Sequence, residues 1–122
     1  MKYPVIMDDY FMLEYGNLNL QDLSRKLNLS KRQTERLVRE YYNISFSEKK
    51  LESKMKAAIF LKEENRDASI EWIARKLGYP SPNYFSSVFK SYYGKSPTKY
   101  YNEHIRSIIS QKSLNSAITS LK

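Results

Sequence analysis

Cysteine is absent from these 122 residues. Its absence excludes disulfides and thiolate metal sites and fits a reducing compartment, the cytoplasm. There is a single histidine, His104, and no second or third ligand accompanies it, so no metal site and no cofactor are expected and a surface histidine is the better reading. Catalytic equipment is missing as well: there is no glycine-rich phosphate cradle and no nucleophile paired with a base, which argues against an enzyme. No apolar run approaches ~18 residues and the N-terminus has no apolar signal region, so no membrane span is expected. Acidic residues are the scarcer charge. Thirteen stand against 21 lysines and arginines, leaving a formal +8 that attracts polyanions, nucleic acid first and anionic membrane second.

What is present is helix. With only three glycines and four prolines, apolar residues recur at helical spacing through most of the chain. The length suits one domain, or one with a short appendage, and allows one real core. Seven helices are predicted. The first is expected from Asp8/Asp9, acids suited to a positive helix start, to Gly16, a natural stop. The second follows Asn19 and carries Leu20, Leu23 and Leu27 on one face, ending at Asn28, which tolerates a left-handed turn. Ser30 to Gln33 reads as a capping box opening a helix to about Tyr42, and Ser45 to Glu48 as another opening a long helix. That long helix places Leu51, Met55, Ala58 and Ile59 inward, and the polar stretch from Glu63 to Asp67 closes the first half.

The second half repeats the first. Ile70, Ile73, Leu77 and Gly78 lie 50 positions after Leu20, Leu23, Leu27 and Asn28. One inserted residue later the offset is 51: Ser81 follows Ser30, Val88 and Phe89 follow Leu37 and Val38, Tyr92-Tyr93 follow Tyr41-Tyr42, and Ser96 follows Ser45. Helix stops and starts recur together with the apolar positions, so a two-unit helix-turn-helix repeat is predicted. A helical-repeat scaffold is the alternative, but solenoids generally need three or more units.

Each repeat offers an outward face. At about 100° per residue, Thr34, Leu37, Val38 and Tyr41 form an inward stripe, and Arg32, Arg36 and Arg39 project away from it with Glu35 beside them. Arginine forks can read guanine or hold phosphate, and a carboxylate can accept from cytosine N4. The matching helix after Ser81 and Pro82 turns Phe85, Val88, Phe89 and Tyr92 inward and Asn83, Ser86, Ser87 and Lys90 outward. Asn83 can bond adenine, and Tyr84 near the helix start can stack on sugar or a thymine methyl, or pack half-buried. An ordinary solvated face is the competing reading, and the repeat weighs against it. Trp72 is expected in the core, and one ring of each tyrosine pair is expected to pack inward.

The run from Ser69 to Tyr100 (SIEWIARKLGYPSPNYFSSVFKSYYGKSPTKY) closely resembles the signature over the second helix-turn-helix of the AraC/XylS family, and residues 8–101 resemble that family's whole DNA-binding domain. The resemblance implies an all-α fold of about seven helices, in two helix-turn-helix subdomains joined by a long linker helix beginning near Ser45. It places the subdomains at 1–62 (with the linker) and 63–101, followed by a C-terminal extension, 102–122, helical or partly disordered. It implies sequence-specific binding of double-stranded DNA, with both recognition helices in successive major-groove segments, and transcription regulation through contact with RNA polymerase. Carried over by position, base contacts fall to Arg32, Glu35, Arg36, Asn83, Tyr84 and Ser87. Phosphate contacts fall to Lys31, Arg39, Lys54, Lys90 and Lys95, which set register without reading sequence.

The departures from the family pattern are Lys49-Lys50 where a Tyr-Leu pair is usual, Thr34 for an apolar residue, Ser24 for Ala, Asn28 for Gly and Tyr101 for Arg. The two lysines put the packing at the start of the linker helix in question. Nothing resembles a sensor, so the chain is either a stand-alone regulator or a fragment of one whose other domain senses a signal. The rival function is a helical protein-interaction module without its own DNA specificity. The C-terminal Ile105, Ile108, Ile109, Leu114, Ile118 and Leu121 would supply an amphipathic face for a partner or pack back on the domain.

Overall fold

The computed structural model describes residues 2–13 and 19–120, without the side chains of residues 13, 105, 109 and 112–120. It has seven helices and no strand among the described residues: α1 (Lys2–Leu13), α2 (Leu20–Leu27), α3 (Lys31–Tyr42), α4 (Phe46–Glu64), α5 (Ile70–Lys76), α6 (Pro82–Tyr93) and α7 (Pro97–Ser120). The chain groups into two compact units, Met1–Phe60 and Leu61–Lys122.

In the first unit, α2 packs on α1 and α3. Its core is Met7, Tyr10, Phe11, Leu23, Leu27 and Val38, with Leu37, Tyr42 and Phe46 half-buried against it. Rings meet edge-on, Tyr10 on Phe11 at 5.0 Å and Phe11 on Tyr42 at 5.6 Å. The helix starts are chemically explicit. Asn19 and Asp22 form a reciprocal capping box, as do Ser30 with Gln33 and Ser45 with Glu48.

The second unit follows the same rules. Helix α6 packs on α5 and α7. Ile73, Leu77, Phe85, Phe89 and Tyr101 are buried, and Phe89 sits among Phe85, Tyr93, Tyr100 and Tyr101 at centroid distances of 4.7 to 5.7 Å. The Ser69 and Ser81 hydroxyls accept the backbone N–H groups of Trp72 and Tyr84, and Pro82 occupies the first turn of α6.

The repeat extends to backbone geometry. Asn28 (φ 56°) and Gly78 (φ 81°) both end a helix in the left-handed region. Each donates its N–H three residues back, to Arg25 and Arg75, while Leu29 and Tyr79 donate to Ser24 and Ala74. Asn43 and Gly94 form a second such pair, at φ 63° and 81°. The first half therefore uses asparagine at both positions where the second uses glycine. Asparagine tolerates this region better than other residues that carry a Cβ.

Trp72, expected in the core, is only half-buried, with the Lys76 ammonium 5.4 Å from its ring centre, and three further expectations need correction. Helix α1 starts at Lys2, not at the acidic pair, because Ile6, Met7, Tyr10 and Phe11 make a continuous inward stripe that needs the earlier turn, and Pro4 is tolerated there. Asp8 instead accepts the Tyr41 and Tyr42 hydroxyls, at 3.4 and 2.5 Å; Gly16 lies outside the described residues. Within the tyrosine pairs, Tyr42 and Tyr93 pack inward, while Tyr41 and Tyr92 are exposed. Helical angle sets Tyr41 and Tyr92 in the inward stripes, but the neighbours Phe11 and Phe89 close on Tyr42 and Tyr93 instead. Finally, His104 is half-buried, bonded to Glu63 and stacked on Tyr100 at 5.7 Å.

Lys49 resolves the packing at the start of α4 in an unexpected way. Its side chain is only 14% exposed, its ammonium lies 4.3 Å from the Tyr42 ring centre, and it pairs with Glu52 at 2.9 Å. Aromatic faces and one carboxylate thus accept a charge where the family pattern has a ring. The Lys49 hydrogen bond, with a second from the Lys56 ammonium, holds the Glu52 carboxyl below the usual range. Ser24 is less well accommodated. It is 6% exposed and its Oγ has no hydrogen-bond partner. Ser24→Ala should raise stability by about 1 kcal/mol, since it removes an unsatisfied buried hydroxyl and improves helix propensity. A thermal melt of the variant checks this, and a lowered midpoint would contradict it.

Candidate nucleic-acid interface

In the first unit, Ser30 starts α3 and Thr34 and Val38, both fully buried, pin its inner side. The opposite side is left to water. Lys31, Arg32, Glu35, Arg36 and Arg39 are all exposed, which puts four cations and one carboxylate on the candidate reading surface. Gln33 is committed to the capping box. Glu40 stands outside the residues that the sequence pattern singles out. It lies one turn beyond Arg36, and its Oε1 is 3.8 Å from the Arg36 Nε. The same 100° spacing that exposes Arg36 placed Glu40 on the same outer ridge, so the signal was available.

Lys54 is half-buried on α4, and burial, followed by repulsion from Lys50, pushes its ammonium pKa down. A lysine in that state carries its charge less readily than the exposed cations of α3.

In the second unit, Phe85 and Phe89 fix α6, and Asn83, Tyr84, Ser87 and Lys90 are exposed on it. Ser86, expected outward, is partly covered. Tyr84 is 56% exposed and leans on Tyr79, ring centres 5.9 Å apart. Burial raises the Tyr79 hydroxyl to about 12, so it stays protonated at neutral pH. Lys95 follows α6 and donates to Glu103, a contact that lowers the Glu103 pKa. The two candidate faces therefore differ in kind: arginine-rich on α3, short and mostly neutral on α6.

No group of residues that could hold a metal ion occurs among the described residues, and no helix there is long and apolar enough to cross a membrane. The side-chain expectations for Ile105, Ile109, Leu114, Ile118 and Leu121 lie outside what is described; Ile108 is half-buried.

Comparison with known proteins adds context to this geometry. A helix-turn-helix domain family profile matches residues 23–103. The Msm operon regulatory protein of Streptococcus mutans is 37% identical over 91 residues, which are 74% of this chain and 32% of that protein. The chain thus spans about a third of the length of this relative. Among solved structures, the C-terminal domain of AraT, a response regulator from Geobacillus stearothermophilus, superposes with a TM-score of 0.70 at 27% identity, covering 82% of this chain and 85% of that one. A DNA-binding transcriptional dual regulator from Escherichia coli K-12 gives a TM-score of 0.67 at 28% identity, covering 85% and 88%.

Proposed function

The chain belongs to the AraC-type helix-turn-helix family, the DNA-binding part of transcription regulators, and we propose that it reads duplex DNA through the outer faces of α3 and α6. The observation that carries this reading is the exposed arginine ridge of α3, held rigid by a capped helix with a fully buried inner side. In this reading Arg32, Glu35 and Arg36 contact base edges from one unit, and Asn83, Tyr84 and Ser87 do so from the other. Lys31, Arg39, Lys54, Lys90 and Lys95 hold phosphates and set register. RNA polymerase is the downstream partner, a sensor domain regulates the module where a longer chain carries one, and the protein acts in the cytoplasm.

The two faces divide the labour. Arginine forks make stronger and more directional contacts than serine hydroxyls, so α3 anchors affinity and α6 tunes it. Arg36→Ala should cost about 1–3 kcal/mol on a selected duplex and relax base preference at one position. Ser87→Ala should cost much less, and Arg39→Ala should weaken all sequences alike. Selection from random duplex DNA, followed by titration of these variants, is the test. A single protein molecule should protect roughly 20 base pairs, two successive major-groove segments. A larger loss for Ser87→Ala than for Arg36→Ala would overturn the division. Protection of only a few base pairs would overturn the two-helix reading.

A further inference from the structure

We infer that Glu40 is a specificity-determining residue: it acts through Arg36 to make the first recognition helix discriminate between sequences. The inference rests on the reading of α3 as a base-contacting helix. Its starting point is that Glu40 suits α3 badly on local grounds. It stands in the last turn of a helix that ends at Tyr42, where the helix dipole disfavours an anion. Its ion pair runs from Arg36 forward to Glu40, the less favourable direction for an i, i+4 pair. Both side chains are well exposed, at 75% and 65%, so the pair adds little to folding. It also places negative charge on the ridge that would face phosphates. A residue that breaks two local preferences at once, on a functional surface, points to a role in recognition.

The geometry shows how that role would work. Glu40 approaches Arg36 at Nε, at 3.8 Å, rather than at the terminal nitrogens of the guanidinium, and the Arg36 side chain is 75% exposed. The fork is thereby biased toward one orientation before DNA arrives, so less side-chain freedom is lost when it meets guanine O6 and N7. On a non-cognate site the same carboxylate works against binding. Phosphate oxygens are repelled, and an Arg36 that swings to a phosphate must leave its carboxylate behind. Discrimination then comes from a penalty on wrong sites as much as from a contact on right ones. Arg39 has a different carboxylate nearby, Glu48, whose pKa is lowered by its hydrogen bonds with Ser45 and, to a lesser degree, by Arg39.

The test compares Glu40→Gln with the parent protein on two duplexes of equal length, one selected by the protein and one of random sequence, at one fixed salt concentration. Losing a negative charge that faces DNA should tighten random-duplex binding about three- to tenfold. Selected-duplex affinity should change by less than about twofold, because the gain in charge is offset by the loss of Arg36 orientation. The ratio of the two affinities therefore falls. Glu71→Gln is the charge control. Glu71 pairs with Arg75 on α5 at 3.1 Å in the favourable direction, and its loss should move both duplexes alike. The melting temperature of Glu40→Gln should hold or rise, which separates the effect from unfolding. A Glu40→Gln variant that shifts both duplexes equally, as the control does, overturns the inference. If Arg36→Ala itself leaves the ratio intact, the base-contact reading fails, and the inference fails with it.

Discussion

Affinity for duplex DNA should fall steeply with salt, with a log–log slope on the order of −4 to −8. Each phosphate neutralised by a lysine or arginine releases condensed counterion and contributes about −0.9 to that slope. The supply of cations is sufficient. Lys31, Arg32, Arg36 and Arg39 are exposed around α3, and Lys90 and Lys95 are exposed on or after α6. A fourfold rise in salt should therefore weaken binding by about 250-fold or more. Titration of a labelled duplex at several salt concentrations measures the slope directly. A flat response would remove the nucleic-acid reading and favour a protein-interaction module, since contact with an uncharged partner surface carries no such dependence. A slope shallower by about 1 in Arg39→Ala would identify that residue as a phosphate contact.

Phe89→Ala should destabilise the second unit by about 3–5 kcal/mol, enough to unfold a small unit. The ring is fully buried and lies within 5.7 Å of four other aromatic rings, so deleting it removes apolar burial and edge-to-face packing together. Residue-resolved hydrogen exchange should show protection lost across α5, α6 and the start of α7. Binding to a selected duplex should fall because the Asn83–Ser87 face has lost its support. A cost below about 1 kcal/mol would mean that the surrounding tyrosines collapse into the space, and would show the core to be more plastic than its packing implies.

Much of this protein is legible from local chemistry. The capping boxes at Ser30 and Ser45, the Ser81-Pro82 helix start and the inward stripes of α3 as far as Val38 and of α6 as far as Phe89 all follow from contacts within a few residues, where periodicity and hydrogen-bonding groups are explicit in the sequence. The repeat at offsets of 50 and 51 made the helix-turn-helix pairing legible as well, because two copies of one pattern share the same stops. The exposed cations of α3 follow from the same spacing.

Tertiary packing alone decided the rest, wherever local pattern favoured the wrong residue or a charge had an unusual host. Periodicity set Tyr41 in the inward stripe, but Tyr42 is the ring that packs, because Phe11 from α1 and Lys49 from α4 close on it. The start of α1 depended on a stripe whose value lies in contact with α2 and α3 rather than in its own end signals. Lys49 reads as a solvated residue by composition, and only the convergence of two rings and Glu52 makes its burial tolerable. Glu40 sat on a face that the sequence did expose, but a carboxylate there looks like ordinary solubility until its partner is seen. Local pattern determines which residues are helical and which face outward; which of them are held, and by whom, depends on groups that only the fold brings together.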